Sequence, residues 1–384
     1  MRVQTDQMLR QWRETVHSFM ESSIGIDYCR ECYQNREYPH KLYDGLVAND
    51  WVGLTVPTEY GGQGGNQVEQ AILFEAVGKY GYDFGLPLLT SATVAENLLE
   101  FGTDEQRDEF LPKLLAGDLR FTIGVTEPNT GSDAASLKTR AKKDGDEYVI
   151  TGEKTYQSGV DAPDTVIHAY VRTDPDAPKR EGISAILIPT DLDGVEINKL
   201  SLIARKAVGT AQVFFDDVRV PVGNRIGDPG DGWDILTDHL VREHLGIAAL
   251  MVGNAQTVVD TAADEAASRE RFGKPIGHFQ AIGHRLADMQ TEVDAARLLV
   301  YRAASALDRE EGSRRLVAQA NLKSGEVLRE VSQEGMQILG GASLLPENDM
   351  ERYWREGASG TIAGGTSEIQ RSIIIRDILS GRGS

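Results

Sequence analysis

Apolar positions in the first 119 residues recur at helical spacing. Met8, Trp12, Val16 and Phe19 form one stripe, Leu73 and Val77 a second, Val94 and Leu98 a third. A period near 3.6 marks an amphipathic helix. Pro112 and the Gly117-Asp118 pair are expected to close this helical region. From about Phe121 the period changes to two. Glu147–Thr151, Thr165–Val171, Ser184–Pro189 and Val213–Val220 alternate between Asp, Gly and Pro punctuation, the pattern of short strands joined by turns. Lys142–Asp146 contains Asp-Gly, a strong hairpin signal. From Gly232-Trp233 long amphipathic segments take over: Ile247–Ser268, Ile282–Asp308, Leu316–Leu339 and Thr366–Leu379. Four such helices predict a bundle. The chain therefore reads as α+β in three parts: an N-terminal α-helical domain over 1–119, a middle β-barrel or sandwich domain over 120–228, and a C-terminal four-helix bundle over 229–384.

Composition narrows the partners. The chain carries 40 basic against 59 acidic side chains, a charge of −19 with neutral histidines. That sign argues against nucleic acid and anionic membrane as partners. There is no run of about 18 apolar residues and no secretory leader pattern, so a cytoplasmic protein is expected. Cys29 and Cys32 form a Cys-Arg-Glu-Cys spacing. It reads as a redox pair or half a zinc site, or as two incidental thiols on a helix. With no second pair, no metal is called for. Glu59–Gly65 is glycine-rich but lacks the Lys and Ser/Thr of a nucleotide loop, so it reads as a turn.

The chemistry concentrates near the C-terminus, in Thr361-Ile-Ala-Gly-Gly-Thr-Ser-Glu-Ile-Gln-Arg371. Gly364-Gly365 suits a tight turn, because glycine accepts positive φ without strain. Thr366-Ser367-Glu368 then reads as a helix start, with a capping hydroxyl and an acid in the first turn. Ile369, Ile373, Ile374 and Ile375 are expected to supply the apolar face. A helix N-terminus offers N–H groups to an anion or a polarised carbonyl, although a plain interhelical turn would look the same.

Three further stretches accompany it: Val125-Thr-Glu-Pro-Asn-Thr-Gly-Ser-Asp133, Arg269-Glu-Arg-Phe-Gly-Lys-Pro-Ile-Gly-His-Phe-Gln280 and Gln337-Ile-Leu-Gly-Gly341. In order and spacing the four resemble the acyl-CoA dehydrogenase family, from about Trp51 to the C-terminus. The resemblance implies an FAD enzyme that removes two hydrogens from Cα and Cβ of an acyl thioester. It also implies an electron-transfer flavoprotein as acceptor and a homo-oligomer, a tetramer in most members. On the flavin side it implicates Ile123, Val125, Thr126, Gly131 and Ser132, and Tyr156, Gln157 and Ser158, where the family has Trp-Ile-Thr. Tyr156 also reads as an ordinary strand aromatic. Arg269, Phe272 and Gln280 match residues that hold the adenine half across a subunit boundary, with Gln337, Gly340 and Gly341 on the partner side. Thr366 and Glu368 fall near the ribose.

One departure stands out. Most members carry the catalytic Glu where this chain has Gly364. A minority, of the isovaleryl-CoA dehydrogenase or crotonobetainyl-CoA reductase kind, place it on the first long bundle helix, at the position of Glu243. The resemblance thus implies Glu243 as base and the Gly364 N–H as donor to the thioester carbonyl; a solvated helix acid is the plain alternative for Glu243. Ser132, Val241, Arg242, His244 and Gly365 fall at substrate positions. Val241 replaces a frequent Asp that touches the CoA arm and His244 replaces an Arg, so an acyl-carrier-protein thioester stays open beside acyl-CoA. Also open are an enoyl-thioester reductase and a non-catalytic homologue that only binds thioester.

Overall fold

The computed structural model describes residues 6–311 and 314–380. The first helical stretch forms α1 (Asp6–Phe19), α2 (Ile26–Asn35), α3 (His40–Ala48), α4 (Gln67–Gly78), α5 (Leu86–Phe101) and α6 (Asp104–Ala116). Thr103 and Gln106 make a capping box at the start of α6, satisfying N–H groups the helix leaves open. Pro112 lies inside α6 rather than closing the region; the stop is Gly117, in the left-handed conformation at φ 78°.

The alternating stretch forms β1 (Arg120–Gly124), β2 (Arg140–Asp144), β3 (Glu147–Ser158), β4 (Thr165–Arg172), β5 (Ile183–Pro189), β6 (Val195–Lys199), β7 (Thr210–Pro221) and β8 (Arg225–Ile226). They make one mixed sheet in the order β6-β7-β3-β2-β4-β5-β8, with β1 parallel to β4. Its core is built from Ile150, Ile167, Ile186, Ile188, Val213 and Val218, all fully buried, as the alternation requires. Asp144-Gly145 turns the β2–β3 hairpin, with Gly145 at φ 62°.

The remaining chain forms α7 (Gly232–Ser268), a ribbon of β9 (Glu270–Arg271) and β10 (Lys274–Pro275), then α8 (Gln280–Asp308), α9 (Arg314–Leu339), α10 (Met350–Ser359) and α11 (Ser367–Ser380). Three expectations need correction. α7 starts at Gly232, well before Ile247, as one helix of 37 residues. Buried His239 interrupts the apolar stripe there without interrupting the helix. α10 was not predicted at all, because its buried face includes Arg352 and Glu356 beside Met350 and Tyr353. A third concerns α11, whose buried residues are Ser367 and Gln370, while Ile375 and Leu379 are exposed.

The chain divides into two compact units. One takes in residues up to Glu31, Asn66–Gly85 and the chain from His244; the other is Cys32–Gly65 with Leu86–Glu243. In the first, α4 and α7 cross with backbones nearly touching. A Cβ on Gly78 would lie 2.2 Å from Leu250 O, and one on Gly253 2.0 Å from Glu75 O, so only glycine fits. The α4 N-terminus is held by the Asp308 carboxylate, which accepts from Gln67 N at 2.7 Å and Val68 N at 3.2 Å. In the second unit the sheet and α5, α6 and the start of α7 carry the residues described next. Cys29 and Cys32 are both buried.

Candidate functional site

The loop after β1 is fixed by a buried ion pair. Lys154 Nζ donates to Glu127 Oε1 at 2.9 Å and to Val125 O at 3.1 Å. Glu127 also accepts from Lys138 N at 2.6 Å and Thr139 N at 2.8 Å. Burial pushes the Glu127 carboxyl up, but Lys154 and the two amides outweigh it, so it ends below its ordinary value. Burial lowers Lys154 to about 8, against the pull of Glu127. Glu127 and Thr130 exchange backbone bonds at 3.1 and 3.0 Å, closing the neck of the loop. Beyond that neck Gly131 and Ser132 are exposed, with open space around Gly131.

Three bonds tie this loop and β1 to the end of β3. Thr155 N donates to Thr126 O at 2.8 Å, Gln157 Nε2 to Ile123 O at 3.3 Å, and Thr122 Oγ1 to Ser158 O at 2.9 Å. A bulge between Lys154 and Gln157 re-aims the chain. Tyr156 sits on it at φ 60° and is 59% exposed. An aromatic residue held in the left-handed region is strained, and such strain gathers at functional sites. Gln157 Oε1 and Thr130 Oγ1 are buried without a hydrogen-bond partner. A flat ring with a polar edge would cover the tyrosine and satisfy such atoms.

Glu243 lies on α7 with 13% of its side chain exposed. Burial raises its carboxyl to about 7, opposed by the charge of Arg205. Arg205 Nη1 also donates to Ser158 Oγ at 3.2 Å. One turn before the acid, His239 Nε2 stands 3.7 Å from Glu243 Oε2. Arg205, His239 and its partner Asn97 escaped the sequence reading. For His239 the i, i+4 spacing to Glu243 was an available signal; for Arg205 and Asn97 there was none. Val241 is half-buried. The Arg242 guanidinium is committed to Asp238 at 3.3 Å and Glu96 at 3.5 Å.

In the other unit Gly364 and Gly365 have φ 67° and 84°. A Cβ on Gly364 would lie 2.4 Å from Ile247 Cδ1, and one on Gly365 3.1 Å from His244 Nε2. Thr366 caps α11, its hydroxyl accepting from Ile369 N at 3.3 Å. Glu368 is exposed, and backbone and Thr366 hydrogen bonds lower its carboxyl. His244 is buried beside Gln370, and its backbone oxygen accepts from Asn321 Nδ2 at 3.1 Å. Burial lowers the imidazole to about 4, so it stays neutral near pH 7 and offers no positive charge to a polyanion.

Arg269 Nη1 donates to Leu339 O at 2.9 Å, at the end of α9 and next to Gly340. This changes the expected arrangement: Arg269 and the Gln337–Gly341 stretch meet within one chain. A cation at a helix C-terminus satisfies its open carbonyls. Gln337, Gly341 and Gln280 are exposed. Phe272 tips the β9–β10 turn at φ 54°, 95% exposed.

Family models for the acyl-CoA dehydrogenase N-terminal, middle and C-terminal domains match residues 6–118, 122–218 and 230–379. The chain is 36% identical to the probable acyl-CoA dehydrogenase YngJ of Bacillus subtilis (strain 168), over 96% of this chain and 97% of that protein. It is 31% identical to the CarC subunit of the caffeyl-CoA reductase–Etf complex of Acetobacterium woodii, over 94% and 96%. The solved glutaryl-coenzyme A dehydrogenase glutaryl-CoA complex superposes with a TM-score of 0.94 at 30% identity, covering 99% of this chain and 97% of that one. The chain belongs to the acyl-CoA dehydrogenase family. It is an oxidoreductase acting on CH–CH groups, and its cofactor is FAD. The exposed strained Tyr156 and the orphaned Gln157 Oε1 fit that group.

Proposed function

We propose that this protein is an FAD-dependent acyl thioester dehydrogenase with Glu243 as its base. The observation that carries the reading is a nearly buried carboxyl raised to about 7 on α7, in a chain whose usual base position is Gly364. A general base is most effective with its pKa near the operating pH. When bound, FAD would supply the acceptor for a hydride from Cβ of the acyl chain. Glu243 takes the α-proton, with the electron pair left on carbon. The Gly364 N–H donates to the thioester carbonyl, which acidifies that proton and stabilises the enolate-like transition state. Tyr156 would hold the flavin ring, Ser158 its edge, and the Val125–Ser132 loop the pyrimidine ring and diphosphate. Arg269, Gln280 and Gln337–Gly341 would hold the adenine half, and Thr366 and Glu368 the ribose.

Arg242 is bound to carboxylates and His244 is neutral. The contacts to a CoA arm are therefore fewer than the family pattern implies, and a carrier-protein thioester fits as well. An electron-transfer flavoprotein is the acceptor. Exposed Phe272, Leu344, Ile362 and Leu379 favour a homo-oligomer, a tetramer by family habit. Anaerobic bleaching of the flavin band against short, branched and medium acyl thioesters tests the reading; no bleaching with any of them sinks it.

A second reading runs the same site in reverse, as an enoyl-thioester reductase. The 31% identity to the caffeyl-CoA reductase subunit favours it. Oxidation of the reduced enzyme by enoyl thioesters, faster than reduction by their saturated counterparts, would select it.

A further inference from the structure

Glu243 shares its unit with a group of buried polar side chains: Asn97 on α5, His168 and Tyr170 on β4, and His239 on α7. Their geometry fixes a proton position. Asn97 Nδ2 donates to Asp238 Oδ2 at 3.3 Å. That bond orients the amide, so Asn97 Oδ1 is the atom 2.8 Å from His239 Nδ1. An oxygen acceptor there requires the proton on Nδ1. In the neutral imidazole Nε2 is then an acceptor, and it faces Glu243 Oε2 at 3.7 Å. Two acceptors do not bond across that gap; one proton between them would close it.

We infer that His239 is a positioning residue for Glu243: Asn97 and Asp238 fix its tautomer, and its Nε2 accepts a hydrogen bond from the protonated Glu243 carboxyl. This rests on Glu243 being the proposed base. When the α C–H bond breaks, the proton forms O–H on Glu243 and the pair stays on carbon. The new O–H donates to Nε2, which draws the carboxyl back along the helix. The proton stays on Glu243, and His239 takes none.

On β4, His168 stands edge-on to His239 with ring centroids 5.8 Å apart, and burial lowers it to about 3. Tyr170 is raised well above 10 by burial and by the charges of Glu243 and Asp238. Both are neutral at working pH. The charged neighbours are Glu96 of α5, Asp238 and Arg242 of α7, and Arg205. Arg242 lies within 3.5 Å of both Glu96 and Asp238, while the charge of Arg205 acts on Glu243.

The test uses the FAD-loaded protein without substrate, labelled with 15N-histidine, with His239 assigned by its absence in His239→Gln. The expected spectrum shows the Nδ1–H tautomer. Its Nε2 resonance should move as pH passes through the Glu243 titration, and Glu243→Gln should abolish that movement. An Nε2–H tautomer, or an Nε2 resonance flat through the titration, overturns the inference. His239→Asn keeps a partner for Asn97 and removes the atom facing Glu243. A hydrogen bond to the protonated form raises a pKa. The lower limb of the flavin-reduction pH profile should therefore fall by roughly half to one pH unit, with KM unchanged. An unmoved limb counts against the inference. Failure of the base assignment is a separate outcome: Glu243→Gln would then reduce flavin at the wild-type rate, whatever the histidine spectrum shows.

Discussion

At the scale of single residues, the balance at Glu243 is between burial and one arginine. Burial raises the carboxyl to about 7 and Arg205 opposes it. Dehydrogenation needs the carboxylate, so flavin reduction by acyl thioester should rise with pH through about 7. The reverse reaction needs the protonated acid and should fall through the same range. Removing the opposing charge with Arg205→Met should move both limbs to higher pH, read by stopped-flow reduction from pH 6 to 9; unmoved limbs would remove Arg205 from the account. Gly364 makes a different prediction. Its φ of 67° and the Ile247 Cδ1 atom at 2.4 Å from a built Cβ both resist a side chain. Gly364→Glu should cost about 1–3 kcal/mol of stability in chemical denaturation, and it should not raise turnover. Higher turnover at unchanged stability would show that the turn has room that the backbone denies it.

At the scale of elements, the loop between β1 and β2 depends on the Lys154–Glu127 pair. Breaking a buried pair from one side costs about 3–5 kcal/mol. Lys154→Met should therefore loosen the loop and release FAD more readily on dilution, measured by flavin fluorescence. The folded pKa of Glu127 is depressed. Its contribution is thus fully present above the unfolded carboxyl value, and it is lost as pH falls through the folded one. FAD should dissociate on acidification in wild type, and Glu127→Gln should flatten that dependence; an equally steep dependence would contradict the role. The elements themselves were legible where apolar residues kept a period. β3, β4 and β5, the Asp144-Gly145 hairpin and the Thr366 cap all followed from local pattern. α10 and the first turns of α7 did not, because Arg352, Glu356 and His239 are buried polar residues, and a hydropathy stripe cannot see a polar group whose partners lie elsewhere in the sequence. The acid could be located by resemblance, whereas the Asn97–His239 contact joins residues 142 positions apart and has no local signature. α11 misled for the opposite reason: its isoleucines are apolar yet Ile375 remains 49% exposed.

At the scale of the whole molecule, a chain of charge −19 must admit an anionic thioester, so binding should be favoured by moderate salt, which screens the repulsion. Phe272, Leu344 and Leu379 are exposed in the single chain. Sedimentation should find an oligomer that loses flavin on dissociation; a monomer retaining full flavin would contradict the proposed assembly. Among the described residues no helix is long and apolar enough to cross a membrane. The central claim, that the base has moved from the Gly364 position to Glu243, is tested most directly by anaerobic stopped-flow flavin reduction of Glu243→Gln beside Glu368→Gln. A general base contributes about 10²–10⁴-fold. Glu243→Gln should lose at least that much in rate while keeping its flavin and its spectral shift on binding thioester, and Glu368→Gln should lose cofactor affinity more than rate. Wild-type reduction by Glu243→Gln, with reduction lost in Glu368→Gln, would move the base to the α11 N-terminus and contradict the account.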